Sequence, residues 1–240
     1  YTSSPKATAN QKAVMEFLLS NHPIDCPVCD QAGECDLQDY AYEYGRGERR
    51  CDTEKITQSK KDVGDNVMLY GDRCIMCTRC VRFANEITGT SELYIDGRGA
   101  KECIGVFPGE GLNNELSGNV VDICPVGAFL DKDFMFQQRV WFLDKVPSID
   151  PLTASGDNIN IEHTEGSIYR VKPRQHREIN QFWITDEVRY GWKFVHDETR
   201  ITEMDEDAEL VASDKLQQAK KIALLVSPML SCEDAWLLGQ

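Results

Sequence analysis

Closely spaced thiols and one imidazole are the first chemistry this chain offers. The stretch His22-Pro23-Ile24-Asp25-Cys26-Pro27-Val28-Cys29-Asp30-Gln31-Ala32-Gly33-Glu34-Cys35 carries one histidine and three cysteines, spaced H-x3-C-x2-C-x5-C. Four soft or borderline ligands this close in sequence can converge on one metal centre. The x2 gap lets two thiolates straddle a tight loop, and Gly33 frees the backbone to fold back toward the third. Taken alone, the segment fits a structural zinc site of three cysteines and one histidine and an iron–sulfur cluster equally well.

A second group, Cys74-Ile75-Met76-Cys77-Thr78-Arg79-Cys80, is more selective. Zinc sites usually draw on separated pairs of ligands, whereas three thiols at successive x2 gaps wrap three corners of a cubane and take a fourth Cys-Pro from elsewhere. Val81-Arg82-Phe83 follow the triplet and bring no cysteine. Outside the first group the only Cys-Pro is Cys124-Pro125, with 43 residues between Cys80 and Cys124. The reading is a [4Fe–4S] cluster on Cys74, Cys77, Cys80 and Cys124. That tips the first group toward a second [4Fe–4S] cluster on His22, Cys26, Cys29 and Cys35. Ligands could be exchanged between the groups, but His22 lies so near Cys26 that a shared cluster is the economical assignment. An imidazole donates less charge than a thiolate, which tends to raise a cluster's potential. Arg73, Arg79 and Arg82 flank the triplet, either to moderate its negative charge or as ordinary surface arginines.

The whole chain narrows the setting. Its 240 residues allow one large domain or two smaller ones, and 41% apolar residues suffice for a core. It begins with Tyr1, so a processed chain or fragment is expected. No signal peptide is visible, and the longest apolar run, Ile222 to Val226, is far too short to span a bilayer. A soluble or peripheral protein without direct membrane insertion is expected. The net charge of −14 repels phosphate backbones and argues against a nucleic-acid partner. Ten cysteines would also suit a secreted disulfide protein. The x2 pairs Cys26/Cys29, Cys74/Cys77 and Cys77/Cys80 favour metals instead, in a compartment that keeps thiols reduced.

The elements that must position these ligands follow from periodicity and turn chemistry. Residues 1–10 read as polar and loose. Gln11 to Asn21 reads as a helix with Val14, Phe17 and Leu18 on one face, ended by Pro23 so that His22 aims at the cysteine loop. Asp36 to Tyr44 reads as a second helix closed by Gly45, with Tyr40, Tyr42 and Tyr44 as cluster cover and core. Residues 46–61 read as a surface loop and Asn66 to Tyr70 as a strand. Val81 to Thr88 reads as a helix stopped at Gly89, and residues 90–120 as loops and short strands. Asn158 to Thr164 and Ser167 to Lys172 alternate around Glu165-Gly166, a β-hairpin. Phe182-Trp183-Ile184 and Tyr190 to Phe194 read as core aromatics. Asp197 to Glu209 reads as an acidic linker and Lys221 to Val226 as a buried strand. Ser231 with Asp234 caps a helix running to Gln240. The fold class is α+β. The expected division is a cluster region with one histidine and three cysteine ligands over 1–60 and a ferredoxin-like domain with four cysteine ligands over 61–140. A small hairpin-rich domain over 141–197 follows, and over 198–240 a linker with the start of an α/β domain.

The motifs carry a family resemblance. They are His22-Pro23-x-Asp25-Cys26-Pro27-x-Cys29-Asp30-x-x-Gly33-Glu34-Cys35-x-Leu37-Gln38-Asp39, Arg73-Cys74-x-x-Cys77-x-Arg79-Cys80-x-Arg82-Phe83, Glu115-Leu116-Ser117-Gly118-Asn119 and Cys124-Pro125-Val126-Gly127-Ala128. Together they resemble the large iron–sulfur subunits of respiratory complex I, the NADH:quinone oxidoreductase. The likeness runs from about residue 11 to 195, through Glu178-Ile179-Asn180 and Trp183-Ile184-Thr185-Asp186. It implies the same two ligand sets, with electrons passing from the flavin subunit toward quinone. It implies as partners the flavin/NADH-binding subunit and other peripheral-arm subunits. It places the protein on the cytoplasmic side of a bacterial inner membrane, or on the matrix side in mitochondria.

The departures from the family pattern also carry expectations. The family's upstream [2Fe–2S] cysteines do not precede His22, so no [2Fe–2S] cluster is expected in this chain. No molybdopterin is expected either, because the family's long molybdopterin-enzyme-like domain usually lacks the cofactor; here that domain stops just after its first strand and helix, so a fragment is the expected reading. Related electron-input arms share these motifs. Iron-only hydrogenases add further cysteine quartets, which this sequence lacks. Molybdenum formate dehydrogenases carry a cluster motif in the hairpin region, yet residues 141–171 contain no cysteine. The diaphorase-side subunit of NAD-reducing hydrogenases ends soon after the equivalent of Cys124. A structural zinc protein is the remaining alternative.

Cys51, Cys103 and Cys232 read as buried or incidental thiols, and His163, His176 and His196 as surface or structural residues. Gly45-Arg46-Gly47 and Gly97-Arg98-Gly99 are turns, not phosphate loops. No hydrolytic constellation stands out. An electron-relaying subunit of an oxidoreductase, with no catalytic residue and no NADH, flavin or quinone site of its own, is the expectation.

Overall fold

The structure is a computed structural model that describes every residue except 201, 202, 204, 228 and 229. Helices alternate with three small antiparallel sheets in an α+β arrangement. Helix α1 (Pro5–Asn21) begins at Pro5 rather than Gln11. Ser4 caps it, its Oγ accepting from the Ala7 N–H at 3.2 Å, and Pro5 sits in the first turn, where its missing N–H costs nothing. Residues 5–10 are therefore helical, not loose. The inward face is also shifted by one position: Met15, Leu18 and Leu19 pack on the core, while Val14 and Phe17 stay exposed. The helix ends at His22, ahead of Pro23, as predicted.

Helix α2 (Asp36–Tyr44) closes at Gly45, whose N–H bonds the Ala41 carbonyl at 3.0 Å. Leu37 enters the core and Tyr44 packs beside it. Tyr40 and Tyr42 face solvent, correcting the expectation that they cover a cluster. Strands β1 (Lys60–Asp62), β2 (Val67–Tyr70) and, much later, β5 (Phe129–Asp131) form one sheet in that order. Helix α3 (Arg79–Glu86), the hairpin β3 (Leu93–Asp96)–β4 (Cys103–Val106) and helix α4 (Asn119–Ile123) lie between β2 and β5 in sequence. Val67, Leu69, Phe83, Leu93, Ile104 and Phe129 form the heart of the main core.

Strands β6 (Asp144–Ile149), β7 (Asn158–Thr164) and β8 (Ser167–Pro173) make a three-stranded meander. The predicted hairpin turn has Glu165 and Gly166 at φ of 50° and 80°, the left-handed pair that suits a two-residue loop. Strand β6 escaped the sequence reading because it is largely exposed and holds Pro147, which an edge strand tolerates. Ile159 and Val171 pack with Ile184 and with Val188 of helix α5 (Asp186–Tyr190) in a second core. Phe182 and Phe194 are exposed, so the aromatic runs are only partly core.

Two sequence motifs turn out to be one joint. The Asn119 Nδ2 donates to the Ile184 carbonyl at 2.8 Å, and its Oδ1 accepts from the Ile184 N–H at 3.2 Å. Asp186 accepts from the Gly118 N–H at 2.9 Å and from the Ser117 hydroxyl. Trp183 packs on Phe83 with ring centroids 4.9 Å apart.

In the last stretch, helix α6 (Glu206–Gln218) takes over the end of the acidic run, which is thus not all linker. Lys221 to Val226 forms no strand among the described residues, and Leu225 is wholly exposed. A strand needs a neighbour for its N–H and C=O groups, and no described segment pairs there. Ser231 caps helix α7 (Cys232–Leu238), accepting from the Asp234 N–H at 3.0 Å, as predicted. Cys51 and Cys232 are exposed rather than buried, and Cys103 is half-buried. No described helix is long and apolar enough to cross a membrane.

Candidate metal centres

The β2–β5 pairing solves the long gap in the second cysteine group. Strand β2 ends just before Cys74 and β5 begins just after Cys124. Leu69 lies opposite Phe129, and the Tyr70 N–H bonds the Ala128 carbonyl at 2.7 Å, so Cys124 folds back onto the triplet. The triplet itself turns through left-handed backbone at Met76 (φ 53°) and Thr78 (φ 62°) before α3 starts, with Cys80 in its first turn. Cys74, Cys77, Cys80 and Cys124 then line one hollow, walled by Ile75, Val126, Ala128 and Phe129.

Backbone N–H groups point at these sulfurs. The Met76 N–H donates to Cys74 Sγ at 3.3 Å, and the N–H groups of Phe129, Val126 and Ala128 act on Cys124. Burial pushes the Cys74 thiol up to about 11 and the Cys80 thiol up to about 12, with neighbouring thiols adding to both. Cys124 is raised by the same burial. Raised in this way, the thiols hold their protons at neutral pH unless a metal displaces them. A multiply charged cationic core would displace those protons and relieve the mutual repulsion.

The first group is held differently. His22 is the C-cap of α1, and Cys26 opens the single helical turn Cys26–Val28. Arg139 donates to the carbonyls of Cys26 and Cys29, each at 3.1 Å, and so pins the loop. Gly33 has φ 90°, and a Cβ there would meet Val140 at 2.8 Å and Trp141 at 2.9 Å, so the turn toward Cys35 needs glycine. Burial raises the Cys29 and Cys35 thiols, with Cys35 acting on Cys29 and Cys26 on Cys35. The His22 Nδ1 is buried with no hydrogen-bond partner. Burial also lowers the His22 pKa, keeping the ring in the neutral form that ligates metals.

The second donor set, four thiols lining one hollow with backbone N–H groups aimed at their sulfurs, fits an iron–sulfur cluster. Among the described residues, no group of three or more His, Cys, Asp or Glu side chains is placed as a single-ion site.

One feature between the groups lies outside what spacing reveals. Arg73 is buried, and its Nε and Nη2 donate to Asp25 Oδ2 at 2.9 and 2.6 Å. Its Nη1 donates to the Gly127 carbonyl at 3.3 Å. A Cβ on Gly127 would lie 2.2 Å from Cys29 Sγ, and the Pro125 carbonyl is 3.8 Å from Cys35 Sγ. The peptide that follows Cys124 therefore touches two thiols of the other group. Of the three flanking arginines only Arg73 is interior; Arg79 and Arg82 are exposed, and Arg82 pairs with Glu86 at 3.3 Å. The available signal was that Asp25 and Arg73 each immediately precede a cysteine ligand candidate.

A buried ion-pair set ties the first group to the meander. Arg170 donates to both Glu34 oxygens at 2.9 Å and to Glu162 at 2.6 Å, and Lys172 reaches Glu34 at 3.3 Å. Burial alone would raise Glu34, but Lys172 and Arg170 together hold it below the usual carboxylate range.

Three family models match the chain in succession. They are the NADH-ubiquinone oxidoreductase-G iron-sulfur binding region over residues 11–50, the ferredoxin-like domain of NADH-quinone oxidoreductase subunit 3 over 64–130, and the NDSU1/NuoG-like 4Fe-4S domain of NADH-ubiquinone oxidoreductase over 143–193. That last stretch contains no cysteine in this chain. The NADH-ubiquinone oxidoreductase 75 kDa subunit of Acanthamoeba castellanii is 44% identical over 80% of this chain and 28% of the relative. The mitochondrial NADH dehydrogenase [ubiquinone] iron-sulfur protein 1 of Solanum tuberosum is 47% identical over 79% and 26%. The NADH-quinone oxidoreductase G-type subunit of Rickettsia felis is 37% identical over 99% and 37%. The chain thus spans between a quarter and two fifths of the length of these curated relatives. Among solved structures, a crystal structure of an NAD+-reducing [NiFe]-hydrogenase in the H2-reduced state aligns with a TM-score of 0.51 and 27% identity. That alignment covers 57% of this chain and 60% of the other.

Proposed function

We propose, from the premise that this chain belongs to the family of large iron–sulfur subunits of NADH:quinone oxidoreductase, that it relays electrons between two [4Fe–4S] clusters. His22, Cys26, Cys29 and Cys35 hold one cluster, and Cys74, Cys77, Cys80 and Cys124 hold the other. The observation that supports this reading is the hollow lined by Cys74, Cys77, Cys80 and Cys124, beside which Cys29, Cys35 and Cys26 lie near enough to act on one another. Bound there, each cluster supplies a one-electron carrier. The chain's own residues set the spacing, exclude water and aim backbone N–H groups at the sulfurs. The parent assembly is a respiratory NADH:quinone oxidoreductase. In it the chain takes electrons from the flavin/NADH-binding subunit and passes them toward quinone, packed among other peripheral-arm subunits on the cytoplasmic or matrix side of the membrane.

The likeness to the NAD+-reducing hydrogenase favours a second reading, an electron-input arm of such an enzyme. The match over residues 143–193 to a NADH-ubiquinone oxidoreductase region weighs toward the first. The test is iron, sulfide and zinc analysis of the purified complex together with EPR. At least about eight iron atoms per chain, with two distinct [4Fe–4S] signals in the reduced complex, are expected. Zinc with little sulfide would sink the proposal. Hydrogen uptake co-purifying with the chain, in place of NADH:quinone activity, would select the second reading.

A further inference from the structure

One buried cation ties the loop of the first ligand group to the backbone that follows Cys124. This inference rests on the cluster assignment above. Arg73 is 2% exposed and sits directly before Cys74. Its guanidinium bonds Asp25, which sits directly before Cys26, and the carbonyl of Gly127, whose peptide presses on Cys29. It also lies 4.4 Å over the Tyr70 ring, at the end of the strand that leads into the triplet. Its charge reaches the Cys29 sulfur. A surface ion pair would contribute little field to either centre. Here the two ends of the pair differ in exposure: the Asp25 side chain is 29% exposed and Arg73 2%. Solvent screens the carboxylate more than the guanidinium, so the positive end prevails inside.

We propose that Arg73 is a shared positioning residue that raises the reduction potentials of both clusters and keeps them close enough for one electron to pass between them. The transfer oxidises one cluster and reduces the other, and Arg73 keeps its proton and charge throughout. Each reduced cluster carries one more negative charge, so a fixed interior cation stabilises the reduced form of both. Asp25 adjoins Cys26 and opposes this effect more strongly at the first cluster than at the second. Asp72 is the other carboxylate acting on Arg73.

The experiment is an EPR-monitored redox titration of the intact complex carrying Arg73→Gln, Arg73→Lys or Asp25→Asn. Arg73→Gln should retain both signals and shift both toward the oxidised form about tenfold at a fixed potential, ~59 mV for a one-electron couple. Arg73→Lys should recover most of that shift. Asp25→Asn should move the first cluster the opposite way, and further than the second. Unchanged potentials in Arg73→Gln, or a shift of one cluster alone, overturn the proposal. Should Arg73→Gln fail to assemble, Asp25→Asn decides by itself, since no shift there also overturns it. A wild-type complex without two cluster signals would instead overturn the ligand assignment on which this rests.

Discussion

Replacing Gly127 with alanine puts a methyl group where a sulfur already lies. The new Cβ would stand 2.2 Å from Cys29 Sγ and 3.1 Å from the Gln31 Cβ. Non-bonded carbon atoms settle at about 3.5–4.0 Å and sulfur is no smaller, so something must move by more than about 1 Å. Neither side is free to move. The Ala128 carbonyl is tied to the Tyr70 N–H at 2.7 Å and the Gly127 carbonyl to Arg73 at 3.3 Å. The Cys29 carbonyl accepts from Arg139 and from the Ala32 N–H, each at 3.1 Å. Overpacking of this kind costs about 1–3 kcal/mol in stability. A displaced thiolate costs the cluster a ligand as well. The expected outcome is loss of the first cluster, on His22, Cys26, Cys29 and Cys35, although Gly127 belongs to the peptide that follows Cys124. Iron, sulfide and EPR spins per chain measure this, with Gly47→Ala as the control, because a Cβ there meets nothing within 4 Å. A Gly127→Ala protein with a full first-cluster signal and wild-type melting would refute the packing argument. So would loss of the second cluster alone.

Three further outcomes are expected. Cys124→Ala should abolish the second cluster's EPR signal and leave the first; loss of the first instead would show that the ligand pairing is wrong. His22→Cys should keep a cluster and lower its potential, since thiolate donates more charge than imidazole, and a redox titration reads the shift. Glu34→Gln should destabilise the fold by about 2–3 kcal/mol by leaving Arg170 and Lys172 short of their carboxylate. The folded pKa of Glu34 lies below its unfolded value, so its contribution is complete above the usual carboxylate range and fades as pH falls toward the lower folded pKa. The gap in melting temperature between wild type and Glu34→Gln should therefore close in acid. A gap that stays constant with pH would count against the ion pairs.

Much of this molecule is written in short-range chemistry. Ser231 capping α7, the Glu165-Gly166 turn, the stop of α1 at His22 and the close of α2 at Gly45 each depend on residues within a few positions of one another. The two cysteine groups are likewise legible, because ligand spacing is itself a local property. Sequence alone erred where the partner was distant. The inward face of α1 fell on Met15, Leu18 and Leu19 because the rest of the core decides which side a helix buries. Lys221 to Val226 has the composition of a strand, but a strand exists only where another pairs with it. The Cys-Pro motif nominates Cys124, and it is the β2–β5 ladder that carries it to the triplet across 43 intervening residues. Arg73 among three similar arginines, and Gly127 beside Cys29, gain their places only when the peptide after Cys124 is folded against the first loop. Local interactions determined which residues are ligand candidates and which segments coil; long-range packing set the peptide after Cys124 against the first loop and buried Arg73 beside it.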